Sequence, residues 1–131
     1  MDYKYLVEKA KEAKGFAYAP YSKFRVGAAL LTKTGKIYTG CNIESVSFSP
    51  TVCAERTAIF KAISEGEKEF KAIAAISDLE AIVYPCGVCR QVMAEFFKPD
   101  TFIVCADKDG EYKVYKFSEI LPFAFTKLTC G

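Results

Sequence analysis

The order of the apolar segments is the sequence feature that most constrains the fold of this chain of 131 residues. Five short runs of mostly apolar residues have the length of strands: 26–31, 37–41, 72–76, 102–106 and 112–117. The first two flank Lys33-Thr34-Gly35-Lys36, where the glycine can adopt the positive φ that a tight turn needs. They therefore predict a β-hairpin at the start of the sheet.

Between these runs lie segments with the 3.6-residue spacing of amphipathic helices. The first extends from Asp2, a candidate N-cap, and ends before Gly15. The apolar stripes are Tyr3, Leu6, Val7, Ala10 and Ala13; then Ala58, Ile59, Ala62 and Ile63, ending at Gly66; then Val88, Val92, Met93, Phe96 and Phe97. A last short helix is predicted from Ser118. The alternation predicts an α/β fold: one domain over residues 1–131, with a five-stranded mixed sheet and helices on both faces.

The charge pattern gives no indication of a polymer or membrane partner. The formal net charge is +2, and acids and bases alternate, as in Lys9, Lys11 and Glu12, instead of forming a basic stripe. No apolar run has the length of a signal peptide or a membrane span. We therefore expect a cytoplasmic protein that binds neither nucleic acid nor membrane.

The cysteine and histidine counts direct attention to metal binding. The chain has six cysteines and no histidine. Disulfides are rare in a reducing compartment, so free thiols there are candidates for metal ligands. Without histidine, Ser-His and Cys-His catalysis are excluded, and a metal site must use thiolates or carboxylates.

Three cysteines fall where two helices are predicted to begin. Cys53 precedes the second helix, and Cys86 and Cys89 form a Cys-x-x-Cys motif at the start of the third. Thiols ionise readily at helix N-termini because the unpaired N–H groups favour negative charge. A Cys-x-x-Cys motif alone is also typical of a redox pair or of half a structural zinc site. The candidates for a fourth thiolate of such a structural site are Cys41, Cys105 and Cys130.

Glu55, two residues after Cys53, favours a catalytic site over a structural one. A zinc ion with three protein ligands leaves a position for water, and a carboxylate nearby can move the protons of that water. The alternative is a helix-favouring acid in a first turn. Residues two apart do not share a face of a regular helix, so the pairing requires Cys53 to have non-helical dihedrals.

The motif Cys-Ala-Glu, followed by Pro-Cys-x-x-Cys with Cys86 33 residues after Cys53, matches the signature of zinc deaminases. Over nearly its whole length the chain resembles the small homotetrameric zinc-dependent cytidine deaminases. The resemblance is carried by Phe24-Arg25-Val26-Gly27-Ala28-Ala29-Leu30, Gly40-Cys41-Asn42-Ile43-Glu44, Cys53-Ala54-Glu55-Arg56-Thr57-Ala58 and Pro85-Cys86-Gly87-Val88-Cys89-Arg90-Gln91-Val92.

The resemblance implies roles for individual residues. It implies one zinc per chain on Cys53, Cys86 and Cys89, with Glu55 as the catalytic proton carrier. Arg56 would donate hydrogen bonds to ligand sulfurs and spread the excess negative charge of three thiolates. Without the resemblance, Arg56 would be a charge on the helix surface.

The resemblance also implies how a nucleoside is held. Asn42 and Glu44 would bind the ribose, chiefly its 3′-hydroxyl, Phe24 would lie against the base, and Ala54 would line the site. Their alternative interpretations are turn chemistry for Asn42, a surface charge for Glu44 and core packing for Phe24. The segment that ends at Phe125 would lend that ring to a neighbouring subunit of a tetramer with shared sites.

The implied activity is hydrolytic deamination of cytidine and 2′-deoxycytidine in pyrimidine salvage. Phe48 departs from the family, since near relatives often carry tyrosine there, which puts contacts to the 5′-hydroxyl in doubt. One alternative is a deaminase of a cytosine-containing antibiotic such as blasticidin S. Another is a binding module stabilised by a structural zinc on four thiolates.

Overall fold

The structure, a computed structural model, describes residues 2–126. Its elements are α1 Lys4–Lys14, β1 Val26–Thr32, β2 Ile37–Cys41, α2 Ala54–Ser64, β3 Phe70–Ser77, α3 Gly87–Phe96, β4 Phe102–Ala106, β5 Tyr112–Lys116 and α4 Phe117–Ile120. The predicted fold class is confirmed. Between residues 2 and 126, none of the helices has both the length and the apolar character needed to span a bilayer.

Small differences from prediction occur at the helix ends. Tyr3, not Asp2, occupies the N-cap of α1, and the Asp2 carboxylate instead accepts a hydrogen bond from the Lys4 amide at 2.9 Å. The last helix begins at Phe117, one residue before the predicted start, and the Phe117 side chain is buried. In the predicted hairpin turn, Gly35 has a φ of 98°, which confirms the turn.

The strands form one mixed sheet in the order β2-β1-β3-β4-β5. β3 and β4 are parallel, and the other neighbouring pairs are antiparallel. β2, β3 and β4 therefore run in the same direction, and their carboxyl ends lie at one edge of the sheet. Since β2 leads into α2 and β3 leads into α3, the chain enters both helices from that edge.

Helices cover both faces of the sheet. Leu6 and Val7 of α1 pack in one core with the strand residues Ala29, Ala74 and Val104. The second core lies on the other face and contains apolar residues of α2, α3 and α4 together with Leu30, Ile73 and Ile103. The alternation of neighbouring strand residues between the two cores is the period of two expected of a strand buried on both faces.

Gly40 marks a very close approach between the sheet and α2. A Cβ atom at this position would lie 2.5 Å from the Ala58 nitrogen and 2.6 Å from the Ala54 oxygen. On the other face, a Cβ at Gly27 would lie 2.0 Å from the Ala10 oxygen of α1. These are backbone atoms, which cannot yield unless the whole helix moves. The two glycines thus set the distance of α1 and α2 from the sheet.

Gly40→Ala should therefore destabilise the protein and displace the first turn of α2. Overpacking in a core typically costs about 1–3 kcal/mol, and a backbone clash places this site at or above the upper end. We expect a lower melting temperature in thermal unfolding followed by circular dichroism. Gly87→Ala is the matched control, because a Cβ at Gly87 meets no atom within 4 Å. Equal melting temperatures for the two variants would contradict the close-approach argument.

Asp78, just after β3, ties the strand edge to α1 and to the segment that enters β1. Its carboxylate accepts two hydrogen bonds from the Arg25 guanidinium, at 2.9 and 3.2 Å, and pairs with the Lys14 Nζ at 3.0 Å. Arg25, and to a lesser degree Lys14, hold the pKa of Asp78 below its usual value. Since Phe24 is adjacent to Arg25, this network anchors one end of the loop that carries Phe24.

Candidate metal centre and active site

Cys53 lies at the N-cap of α2 with φ −77° and ψ 156°. These dihedrals are extended, which is the condition under which Cys53 and Glu55 can serve one site although they are two residues apart. Cys86 is the N-cap of α3 with φ −70° and ψ 168°, and its Sγ accepts a hydrogen bond from the Cys89 amide at 3.4 Å. The N-termini of both helices favour negative charge on these sulfurs.

The three predicted ligands come together. The Sγ atoms of Cys53, Cys86 and Cys89 all lie within 4.8 Å of one another, and those of Cys53 and Cys86 are 3.7 Å apart. Two thiolates on a tetrahedral zinc with Zn–S bonds of about 2.3 Å would be about 3.8 Å apart. The sulfur spacing therefore fits a zinc ion.

The acid–base properties of the sulfurs also fit a cation. The hydrogen bond with Cys89, followed by those from Arg56 and Cys86, lowers the pKa of Cys53 to about 5. The bond to Cys53 and burial raise the pKa of Cys89. One thiolate thus keeps its neighbour protonated, because adjacent like charges resist ionisation. A divalent cation would remove this conflict, since metal binding favours deprotonated thiols.

A fourth thiolate is not found among residues 2–126. Among these residues the group that could hold a metal ion consists of Cys53, Cys86 and Cys89, and Cys41 and Cys105 lie outside it. Cys105 is buried in β4, and burial raises its pKa to about 12, so it behaves as a small core residue. The third candidate, Cys130, lies outside the described residues.

Glu55 is buried in the first turn of α2, with 6% of its surface exposed. Burial raises the pKa of its carboxyl group to about 7, and the charge of Cys53 acts in the same direction. The interpretation as an ordinary solvated helix-start acid does not fit this environment. A carboxyl group that gains and loses a proton near neutral pH, beside a cluster of thiols, is suited to proton transfer.

Arg56 contacts the cluster directly. Its Nη2 donates a hydrogen bond to the Cys53 Sγ at 3.5 Å, so it is not a spectator on the helix surface. Its Nε is buried and is the one such side-chain atom, among residues 2–126, that has no hydrogen-bond partner. The guanidinium therefore brings positive charge to the sulfurs and keeps a further donor directed into the interior.

Phe24, Asn42 and Glu44 form a second group. The Asn42 side chain accepts from the Val26 amide at 2.9 Å and donates to the Phe24 carbonyl at 2.8 Å. Glu44 is 8% exposed, so its interpretation as an exposed surface charge is wrong. Phe24 itself is half-buried.

The Glu44 carboxylate is held by the preceding loop. Oε1 accepts from the amides of Tyr21 and Ser22, both at 3.1 Å, and Oε2 accepts from the Ser22 hydroxyl. Hydrogen bonding by Ser22, against the opposing effect of burial, lowers the pKa of Glu44. Sequence reasoning did not identify Ser22. The one local signal is a serine two residues before Phe24, a spacing at which the hydroxyl can accept from the backbone.

A short β-bridge joins this group to the metal centre. Ile43 and Val52 exchange two backbone hydrogen bonds of 3.0 Å each. Ile43 stands between Asn42 and Glu44, and Val52 directly precedes Cys53, so the bridge fixes the two groups side by side. Ala54, the remaining predicted site residue of this region, is fully buried between Cys53 and Glu55.

Phe125 and Phe48 lie at the surface. Phe125 is 66% exposed, and its carbonyl accepts a hydrogen bond from the Gln91 side chain of α3 at 2.9 Å. Phe48, in the loop between β2 and α2, is 77% exposed. The predicted entry of the Phe125 ring into a site concerns a neighbouring subunit, so it stays a prediction.

Known proteins resemble this chain in sequence and fold. Residues 1–106 match the family model described as the cytidine and deoxycytidylate deaminase zinc-binding region. A cytidine deaminase of Sporosarcina psychrophila is 49% identical over 127 residues, covering 97% of this chain and 93% of that protein. The crystal structure of cytidine deaminase from Burkholderia pseudomallei superimposes with a TM-score of 0.91 at 46% identity, covering 95% of this chain and 100% of that one.

Another similar protein carries a different substrate in its name. A blasticidin-S deaminase of Bacillus cereus is 35% identical over 130 residues, covering 93% of this chain and 91% of that protein. Its sequence identity to this chain is lower than that of the cytidine deaminase from Sporosarcina psychrophila.

Proposed function

Because the chain belongs to the cytidine and deoxycytidylate deaminase family, we propose that it hydrolyses cytidine and 2′-deoxycytidine to uridine and 2′-deoxyuridine with release of ammonia. The observation that carries the proposal is the group of three thiols with the buried carboxyl group of Glu55 beside it. The thiols fit zinc, and a carboxyl group with a pKa of about 7 fits a proton carrier.

Cys53, Cys86 and Cys89 hold one zinc ion per chain. When bound in such a site, zinc lowers the pKa of water toward neutrality and so makes hydroxide available at physiological pH. The sulfurs differ in exposure, from buried Cys89 to exposed Cys86, so the cluster is reached from the Cys86 side. Three thiolates on a divalent cation leave a net charge of −1.

Glu55 moves the protons of the reaction. It takes one proton from the attacking water and delivers it to N3 of the cytosine ring while hydroxide adds to C4. It then carries the proton of the new C4 hydroxyl group to the exocyclic amine, the C4–N bond breaks, and ammonia leaves as the C4 carbonyl of uridine forms. Burial supports this role, because it keeps bulk water from competing for the proton.

Arg56 compensates for the excess charge of the thiolates. Arg56→Gln should lower zinc retention or activity about 10- to 100-fold, the usual range when a group that hydrogen-bonds to a metal ligand is lost. Zinc content and kcat/KM of the variant measure the effect. Wild-type values for both would show that the contact with Cys53 has no role in the site.

A nucleoside is held by the second group, with Phe24 against the base, Asn42 and Glu44 at the ribose and Ala54 lining the site. The buried Glu44 carboxylate would accept a hydrogen bond from a free 3′-hydroxyl but would repel a 3′-phosphate. In a partly desolvated site this repulsion is screened far less than in water. We therefore infer that free nucleosides are substrates, whereas polynucleotides are not.

The decisive assay is the absorbance change of cytidine and 2′-deoxycytidine with purified zinc-loaded protein. Blasticidin S and 3′-CMP serve as comparison substrates under identical conditions. We expect kcat/KM to be highest for the two nucleosides. Preferred turnover of blasticidin S would support the antibiotic alternative instead. No turnover at all, with four thiolates in zinc K-edge spectra, would support the structural zinc module.

We further propose a homotetramer whose sites are completed by neighbouring subunits. Large apolar side chains lie exposed in the loop before α2 and in the segment after α4: Val46, Phe48, Phe123 and Phe125. Such exposure is typical of surfaces that are covered in an assembly. The Phe125 ring, which is exposed on a single chain, would then enter the site of a neighbouring subunit.

Phe125→Ala should lower kcat/KM about tenfold or more without loss of zinc, because a ring of this size supplies much of the apolar contact at such a site. Co-expression with Glu55→Gln subunits is the sharper test. In mixed assemblies the Glu55→Gln subunits supply Phe125 to sites that retain Glu55, so activity should exceed that of either variant alone. Absence of any gain in mixed tetramers shown to form by mass spectrometry would contradict shared sites.

Residues 1–131 form a single catalytic domain in this proposal. β5 lies beyond the matched region yet pairs with β4, so it continues the same sheet. The five cysteines of the described residues are all unpaired. Free thiols on this scale suit a reducing compartment such as the cytoplasm, where salvage of pyrimidine nucleosides would be the role of the enzyme.

A further inference from the structure

Ser22 links the two residues that are proposed to contact opposite ends of a nucleoside. Its hydroxyl donates to Oε2 of Glu44 and accepts from the Phe24 amide at 3.0 Å. Its own amide donates to Oε1 of Glu44 at 3.1 Å. One side chain thus connects the ribose group to the base group.

The hydrogen bonds to Glu44 leave little freedom to its carboxylate. A carboxylate offers about four acceptor positions, two on each oxygen. Oε1 accepts from two amides and Oε2 accepts from the Ser22 hydroxyl. The position that remains is therefore on Oε2, and its direction is set by the Ser22 hydroxyl.

The loop that carries Ser22 contains one residue in an unfavourable backbone conformation. Lys23 has a φ of 61°, in the left-handed region that residues other than glycine rarely occupy. Contacts on both sides of Lys23 maintain it: Ser22 to Glu44 before it, and the Asn42 side chain to the Phe24 carbonyl after it. The position of Phe24 thus depends on the same contacts that orient Glu44.

We infer that Ser22 is a positioning residue for recognition of the 3′-hydroxyl: its hydroxyl directs the free acceptor position of Glu44 toward the ribose. The inference rests on the proposed deaminase activity and adds a specificity role for a residue outside the metal centre. It implies that Ser22 acts on discrimination between sugars, not on the chemistry at the metal centre.

The test compares 2′-deoxycytidine with 2′,3′-dideoxycytidine. The second compound lacks the 3′-hydroxyl group from which Glu44 would accept a hydrogen bond. In Ser22→Ala the ratio of their kcat/KM values should fall about tenfold, the scale expected when a hydrogen bond to a charged group is weakened. The loss should appear mainly as a higher KM for 2′-deoxycytidine, with bound zinc unchanged. Ser22→Thr keeps the hydroxyl and should restore the ratio to within about twofold of the wild-type value.

If Ser22→Ala lowers the stability of the protein, a double variant still tests the inference. Ser22→Ala/Glu44→Gln should show the ratio of Glu44→Gln alone, because Ser22 acts through that carboxylate. An unchanged ratio in Ser22→Ala, or a ratio in Ser22→Thr as low as in Ser22→Ala, would overturn the inference while the deaminase activity stands. If the unmutated protein deaminates neither nucleoside, it is the proposed function that fails.

Discussion

Glu55→Gln should abolish most turnover while the protein keeps its fold and its zinc. The amide of glutamine has nearly the shape of the carboxyl group but cannot accept a proton. Loss of general acid–base catalysis alone lowers rates by roughly 10²- to 10⁴-fold. Because Glu55 is buried and burial raises its pKa to about 7, the neutral amide also removes the cost of burying a charge. The melting temperature should therefore be equal to or higher than that of the unmutated protein.

The measurements are kcat for cytidine, zinc per chain and thermal unfolding. Glu8→Gln is the matched control, since Glu8 is an exposed residue of α1 and the substitution is chemically identical. Loss of activity together with loss of zinc would assign Glu55 to the integrity of the metal centre instead of proton transfer. Near-normal turnover would return Glu55 to the role of a helix-start acid.

The fold could be predicted because its signals are local. The stripe of α1 follows from the spacing of its apolar residues, β1 follows from a short apolar run, and Gly35 marks the turn between β1 and β2. The ends of elements depend on weaker, competing effects. The Asp2 carboxylate accepts a hydrogen bond from the Lys4 amide from outside the helix. Tyr3 therefore occupies the N-cap position that was predicted for Asp2.

The metal centre could be predicted because thiols at two predicted helix starts ionise readily and are candidate metal ligands. This inference does not depend on the order of the strands. The network around Glu44 could not be predicted, because Ser22 and Glu44 are 22 residues apart in sequence. They meet because a second bridge, between Tyr18 and Ile43, brings the loop that carries Ser22 to Glu44. A serine in a loop is common and has many roles. The role proposed for Phe125 would depend on other subunits, which no pattern within one chain describes.

Cys89→Ser should give the largest loss of zinc and, with it, of activity. Cys89 is fully buried and is one of the three thiols of the cluster, and a hydroxyl ionises far less readily than a thiol. Zinc measured by atomic absorption after dialysis against a mild chelator should fall from one per chain toward zero. Since structural and catalytic zinc both stabilise the folded state by binding to it, the melting temperature should fall as well.

Cys105→Ala separates ligation from burial, because Cys105 is also a buried cysteine but lies in β4 outside the cluster. Removal of its sulfur leaves a small cavity and costs on the order of 1 kcal/mol, so this variant should also melt at a lower temperature. It should nevertheless keep one zinc per chain and its activity. Added zinc should raise the melting temperature of Cys105→Ala but not that of Cys89→Ser. The reverse pattern, with zinc lost from Cys105→Ala and retained by Cys89→Ser, would contradict the assignment of the ligands.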